Sequence, residues 1–185
     1  MAGIDESFEF HPLSIAVLTV SDTRTPETDT SGGLLVERLT AAGHRLAARA
    51  LVRDDVAAIR AQVQAWVDDP AVEVILTTGG TGFAPRDVTP EAIRPLFRRE
   101  MDGFSIVFHQ ASQTTVGLST LQSRAFAGQA GSASCSVCRD RPGPAVMRGT
   151  WCLGWSWTAA TVPARWPARS PVCARSARER PEPSR

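Results

Sequence analysis

Two short, unbroken apolar runs, each followed at once by small polar residues, constrain the fold more than any other feature. Residues 14–20 (SIAVLTV) end in Ser21 and Asp22, and residues 72–76 (VEVIL) run into TTGGTG at 77–82. A strand with one wet face alternates apolar and polar residues, whereas a strand covered on both faces stays apolar. Both runs therefore predict strands of a parallel sheet with helices on either side. Between them, residues 31–42 (SGGLLVERLTAA) read as a helix closed by Gly43, since glycine commonly ends helices. Residues 45–52 read as a second strand. Val56, Ile59, Val63, Trp66 and Val67 recur at helical spacing, and Asp54 or Asp55 supplies the N-cap. Thr89 and Pro90 predict a further helix start, a capping hydroxyl ahead of a proline in the first turn. Strand–helix–strand–helix–strand is the pattern of a parallel α/β sheet. Such sheets bind ligands beyond the carboxyl ends of their strands, so function is expected in the loops at 20–31, 52–55 and 77–88.

Composition sets the outer bounds. A chain of 185 residues, 43% apolar, is one domain's worth with enough material for a core. It has no run of 18 apolar residues and no apolar leader at its start, so neither a membrane span nor a signal peptide is expected. Residues 1–130 contain no cysteine, which suits a reducing cytoplasm and offers no disulfide framework. Charge divides the chain: residues 1–130 carry 11 Arg against 16 acidic residues, and residues 131–185 carry 9 Arg against 3.

Within the carboxyl-end loops, TTGGTG is the strongest local signal. Glycines allow positive φ and close approach to a ligand, and Thr78, Gly79, Gly80, Thr81 and Gly82 could together cradle an anion. A tight strand-to-helix turn with no ligand would read the same way. Asp54 and Asp87 lie on neighbouring loops and could jointly hold Mg²⁺, which favours a few carboxylates plus phosphate oxygens. As plain structure, Asp54 is a helix cap and Asp87 a turn former. Ser21, Asp22, Asp29 and Ser31 crowd the loop after the first strand, and DTSGG (29–33) could grip an anion or cap its helix. His11, His44 and His109 have no ligand-like spacing. Cys135 and Cys138 form a CxxC without a matching second pair, too little for a zinc ribbon.

Taken in order, VLTVSDTR (17–24), DTSGG (29–33), RDD (53–55), IRAQVQAW (59–66), VILTTGGTG (74–82), PRDVTPEAI (85–93), REMDGFSIVFHQAS (99–112) and STLQSRAFAG (119–128) resemble the molybdenum cofactor biosynthesis protein B family. That family is a close relative of the molybdopterin adenylyltransferases. The resemblance covers residues 14–130, with residues 1–13 as an N-terminal arm. It implies a three-layer α/β molybdopterin-binding fold with a mainly parallel sheet, assembled as a trimer or hexamer in the cytoplasm. It implies nucleotidyltransfer: AMP passes from Mg-ATP to molybdopterin, both as substrates with no permanently bound cofactor, and a molybdenum insertase acts downstream. The alternatives are a non-catalytic molybdopterin-binding oligomeric scaffold and an inactive frameshifted copy. By resemblance Gly79, Gly80, Thr81 and Gly82 lie beside the pterin and phosphates, and Asp54 and Asp87 near the metal and the transferring phosphate.

Residues 131–185 depart from this pattern. They hold seven Pro, nine Arg, four Trp and all four Cys, but neither Ile nor Phe. The arginines alone would suggest a nucleic-acid arm, yet no nucleic-acid partner is expected. The family continues with a strand, an LPGS-type loop, a helix and a segment containing RPC. Reading the tail's codons one base out of register, with GC-rich third positions, permits LGILLRLPGSTRACRDAWDLVLGL followed by VLDGRHRPCPLAGPLARL. The tail is thus read as the product of a base lost or two gained near codons 128–131. On that reading the chain as written lacks the family's last strand, loop and helix, and its C-terminal third is disordered.

Overall fold

The computed structural model describes residues 10–131 and 133–138. Among the described residues, six strands form a single sheet in the order β2-β1-β3-β6-β5-β4. β1 (Ser14–Val20) pairs in parallel with β2 (Arg45–Val52) and β3 (Val74–Thr78). β3 pairs in parallel with β6 (Ala133–Cys138). Antiparallel pairing then joins β6 to β5 (Phe126–Ala130), and β5 to the two-residue β4 (Arg99–Glu100).

The unbroken apolar run of β1 is explained by what lies on each side. Ala16, Leu18 and Val20 join one core cluster with Ile59, Val63 and Trp66 of α2 (Val56–Val67) and Ala92 and Ile93 of α3 (Thr89–Ile93). Ile15 and Val17 point to the opposite face, against Leu35, Val36 and Leu39 of α1 (Thr30–Ala41). Alternation along β5 puts Phe126 with the first cluster and Ala127 beneath Phe104 of α4 (Asp102–Val116). The result is three layers, as expected from the sequence.

Three local expectations shift. β3 runs two residues later than predicted because Thr77 and Thr78, β-branched and buried, pair with Leu18 and Thr19. The Thr89 hydroxyl does not cap α3, whose N-cap is Val88 without a side-chain bond; it donates instead to the Gly79 carbonyl at 3.0 Å. The third concerns the last strand, expected to be missing or replaced by an unrelated tail: tail residues Ala133–Cys138 form β6 between β3 and β5. The physical reason is that ladder pairing uses main-chain donors and acceptors, which any non-proline residue supplies. The expected loss of the following loop and helix, and the disorder of the tail, concern residues 139–185, which lie outside the described residues, as do residues 1–9. Among the described residues no helix is long and apolar enough to cross a membrane.

Candidate functional site at the carboxyl edge of the sheet

β1, β2 and β3 all point the same way, so the loops that follow them meet at one edge. The first two are tied together by the Ser21 N–H, which donates to the Val52 carbonyl at 2.9 Å. α2 takes Asp55 as its N-cap, the carboxylate accepting from the Ala58 N–H at 2.8 Å. The sequence left Asp54 and Asp55 open for that task. With Asp55 committed to the helix, Asp54 turns to the loop after β3.

That loop is built on glycines with specific reasons. Gly79 has φ +101°, and a Cβ there would sit 2.1 Å from the Val20 carbonyl oxygen. Gly80 has φ +63°, and a Cβ would lie 2.3 Å from the Thr89 hydroxyl and 2.7 Å from Asp54 Oδ1. Gly82 lies beneath Asp87, whose Oδ2 would be 2.7 Å from an added Cβ. Only residues without side chains let Asp54 and Asp87 close on this backbone. Asp87 is held from within the loop: Oδ2 accepts from the Ala84 N–H at 2.9 Å, and its own N–H donates to the Ala84 carbonyl at 2.9 Å. Thr89 ties the base through its hydroxyl and through its N–H, which donates to the Gly80 carbonyl at 3.1 Å.

The electrostatics follow from crowding of like charge. Burial pushes the Asp54 carboxyl above its ordinary range, and the carboxylates of Asp22 and Asp87 push in the same direction. Arg86 and a hydrogen bond from the Asp22 N–H oppose the rise without cancelling it. Arg86 pairs directly with Asp22 at 2.7 Å, so one exposed arginine faces three acids. Hard oxygen donors with surplus negative charge suit a divalent cation such as Mg²⁺. Among the described residues no three His, Cys, Asp or Glu side chains converge on one metal position. Buried Thr81 Oγ1 has no hydrogen-bond partner among the described residues.

Asp22, Asp54, Gly79, Gly80, Gly82 and Asp87 are thus brought together, with Thr78 buried at the end of β3 and Thr81 on the loop. Asp29 and Ser31 serve a different purpose. Asp29 is buried, accepts from the Gly32 N–H at 2.9 Å, the Thr19 hydroxyl at 2.8 Å and Arg49 at 2.8 Å, and so starts α1. Burial alone would raise its carboxyl, but the bonds from Arg49, Gly32 and Thr19 hold it below its ordinary range. Ser31 Oγ accepts from Arg24 at 2.6 Å, and Ser21 Oγ accepts from the Thr23 and Arg24 N–H groups, both at 3.3 Å. The side chains of Cys135 and Cys138 lie outside what is described. Sequence reasoning assigned no role to Arg86, Thr89 as a loop tie, or Arg124; in each case the partner is on another element or across a turn.

Comparison with known proteins agrees with this architecture. The sequence profile of the family described as "Probable molybdopterin binding domain" matches residues 16–139, nine residues beyond where the motif resemblance stops. Molybdenum cofactor biosynthesis protein B of Escherichia coli (strain K12) is 51% identical over 124 residues, covering 67% of this chain and 73% of that protein. The protein of the same name from Bacillus subtilis (strain 168) is 48% identical over 113 residues, covering 60% and 66%. A crystal structure of a molybdenum cofactor biosynthesis protein B superposes with TM-score 0.72 at 36% identity, covering 77% of this chain and 89% of that one. A tungsten cofactor synthesizing protein from Pyrococcus furiosus gives TM-score 0.66 at 29% identity, covering 80% and 94%. With half its residues shared over two thirds of its length and the same arrangement of strands, this chain belongs to the molybdenum cofactor biosynthesis protein B family of molybdopterin-binding domains.

Proposed function

We propose that the chain serves molybdenum cofactor biosynthesis by binding molybdopterin at this edge and transferring AMP to it from Mg-ATP. The observation that carries the reading is the gathering of Asp22, Asp54 and Asp87 around a glycine loop, with Asp54 destabilised as an anion by burial and by its two acidic neighbours. In the transfer, an oxygen of the terminal molybdopterin phosphate forms a bond to the α-phosphorus of ATP. The bond from that phosphorus to the bridging oxygen breaks, and pyrophosphate leaves. Asp54 and Asp87 would hold the Mg²⁺ carried by the nucleotide, which would supply charge neutralisation at the transferring phosphate. Gly79–Gly82 let phosphates approach the main chain, and the Thr81 hydroxyl is a donor awaiting an acceptor. The protein's part is positioning and charge, with no covalent intermediate required.

The second reading is a molybdopterin-binding oligomeric scaffold without transfer. It is favoured by apolar side chains exposed on α4 and the turn after it: Ile106, Val107, Leu118 and Leu121. Incubating the full chain with molybdopterin and Mg-ATP separates the two. Release of pyrophosphate with an adenylylated pterin product supports the enzyme; molybdopterin binding without either product supports the scaffold.

A further inference from the structure

Arg124 stands at the entry to β5, far in sequence from the glycine loop, yet most of its polar reach is spent there. Its N–H donates to the Thr81 carbonyl at 2.9 Å, and Nε donates to the Gly82 carbonyl at 2.9 Å. One terminal nitrogen donates to the Asp87 carbonyl and the other pairs with the Glu91 carboxylate on α3. Gly82 and Asp87 are the two ends of the excursion that carries the Asp87 carboxylate, so a single guanidinium brackets the whole segment. Its ring-facing side also lies over Phe83, with 5.8 Å from the guanidinium carbon to the ring centroid.

We propose that Arg124 is a positioning residue for this site: it fixes the distance between Gly82 and Asp87, and thereby where the Asp87 carboxylate stands relative to Asp54. A planar fork with donors in three directions can bond three acceptors at once, whereas an ammonium is a single point with a longer, looser stem. Glu91 completes the device. Burial pushes its carboxyl up, but hydrogen bonds from Arg124 and from its own main chain, with the charges of Arg124 and Arg94, hold it below its ordinary range. It therefore stays ionised and anchors the guanidinium from the α3 side. The half-buried guanidinium donates to the Gly82 and Asp87 carbonyls and to Glu91, consistent with holding the loop.

The importance of this geometry for transfer rests on the function proposed above, so the test has two readouts on the full chain with Arg124→Lys and Arg124→Ala. Hydrogen exchange of the amides of residues 81–88 is expected to quicken by about tenfold in Arg124→Lys, the scale of one lost charge-assisted hydrogen bond. Amides of β1 and α2 should be unchanged, which shows that the variant is folded. Unaltered exchange in 81–88 overturns the clamp. In the transfer assay, Arg124→Lys should lower kcat by about tenfold or more, with any rise in the KM for Mg-ATP smaller than that fall. Added guanidinium should restore part of the Arg124→Ala loss. A raised KM with unchanged kcat overturns the positioning role. Absence of transfer in the parent chain would defeat the proposed function, and the exchange measurement would still decide the clamp.

Discussion

Two aspartates on adjoining loops show how environment assigns opposite tasks to one residue type. Asp29 has its charge compensated by Arg49, Gly32 and Thr19, whereas Asp54 is buried beside other acids. Their pH linkage therefore runs in opposite directions. The lowered Asp29 carboxyl contributes stability that is full above its unfolded pKa and is lost as pH falls through the folded value. Asp29→Ala should cost about 3 kcal/mol in urea unfolding at neutral pH, the low end for breaking a buried pair, because Arg49 retains water contact. The raised Asp54 carboxyl works the other way: the fold is favoured below its unfolded pKa and loses stability as pH rises through the folded value. Asp54→Asn is accordingly expected to raise Tm at neutral pH, with the gain vanishing in acid, while abolishing the stabilisation that Mg-ATP confers on the parent. Thermal melts at several pH values with and without Mg-ATP check both statements. A variant that is both more stable and non-functional is what a site under electrostatic strain predicts.

At the scale of elements, the loop after β3 is held by ties of graded firmness. A methyl group at residue 79 would meet the main chain of β1, which cannot move without breaking the sheet. At residue 80 it would meet the side chains of Thr89 and Asp54, which can rotate. Both positions have positive φ, costing about 1 kcal/mol or more for alanine. Gly79→Ala should therefore lower Tm more than Gly80→Ala, while Gly80→Ala should be the more selective in removing Mg-ATP binding. Melting curves paired with nucleotide titrations test the ordering. Equal Tm losses would mean that the β1 backbone gives way as easily as two side chains.

Over the whole molecule, the sheet gathers the candidate site at one edge and leaves apolar surface at α4 and the following turn. Leu118 and Leu121 are 74% and 71% exposed, and exposed apolar surface of this kind is what an interaction face presents. Assembly through that face is expected, and Leu118→Glu with Leu121→Glu should reduce the molar mass in analytical ultracentrifugation to that of one chain. An unchanged mass would move the interface elsewhere. The displaced-frame reading of the tail is tested on the gene: independent sequencing of codons 128–131 should restore the LPGS-containing frame, and an intact frame as written would end that reading. The presence of β6 shows that the chain as written closes the sheet between β3 and β5.

What the sequence determined by itself was whatever depends on near neighbours along the chain. β1 and β2 were legible to the residue, and α2 was legible because its periodicity, its cap and its buried face lie within a dozen positions. The glycine loop was legible as a loop that needs close approach, and Asp54 and Asp87 as candidates beside it. Only the tertiary structure decided which of Asp54 and Asp55 caps α2, that Arg86 faces Asp22, and that Arg124 brackets residues 82–87 from across 37 and 42 positions of chain. The physical reason is that capping and periodicity are short-range, whereas charge crowding and carbonyl capture depend on distances that exist only once the strands are in register. For the same reason the displaced-frame reading of the tail left no last strand, while the main chains of β3 and β5 supplied a place for one.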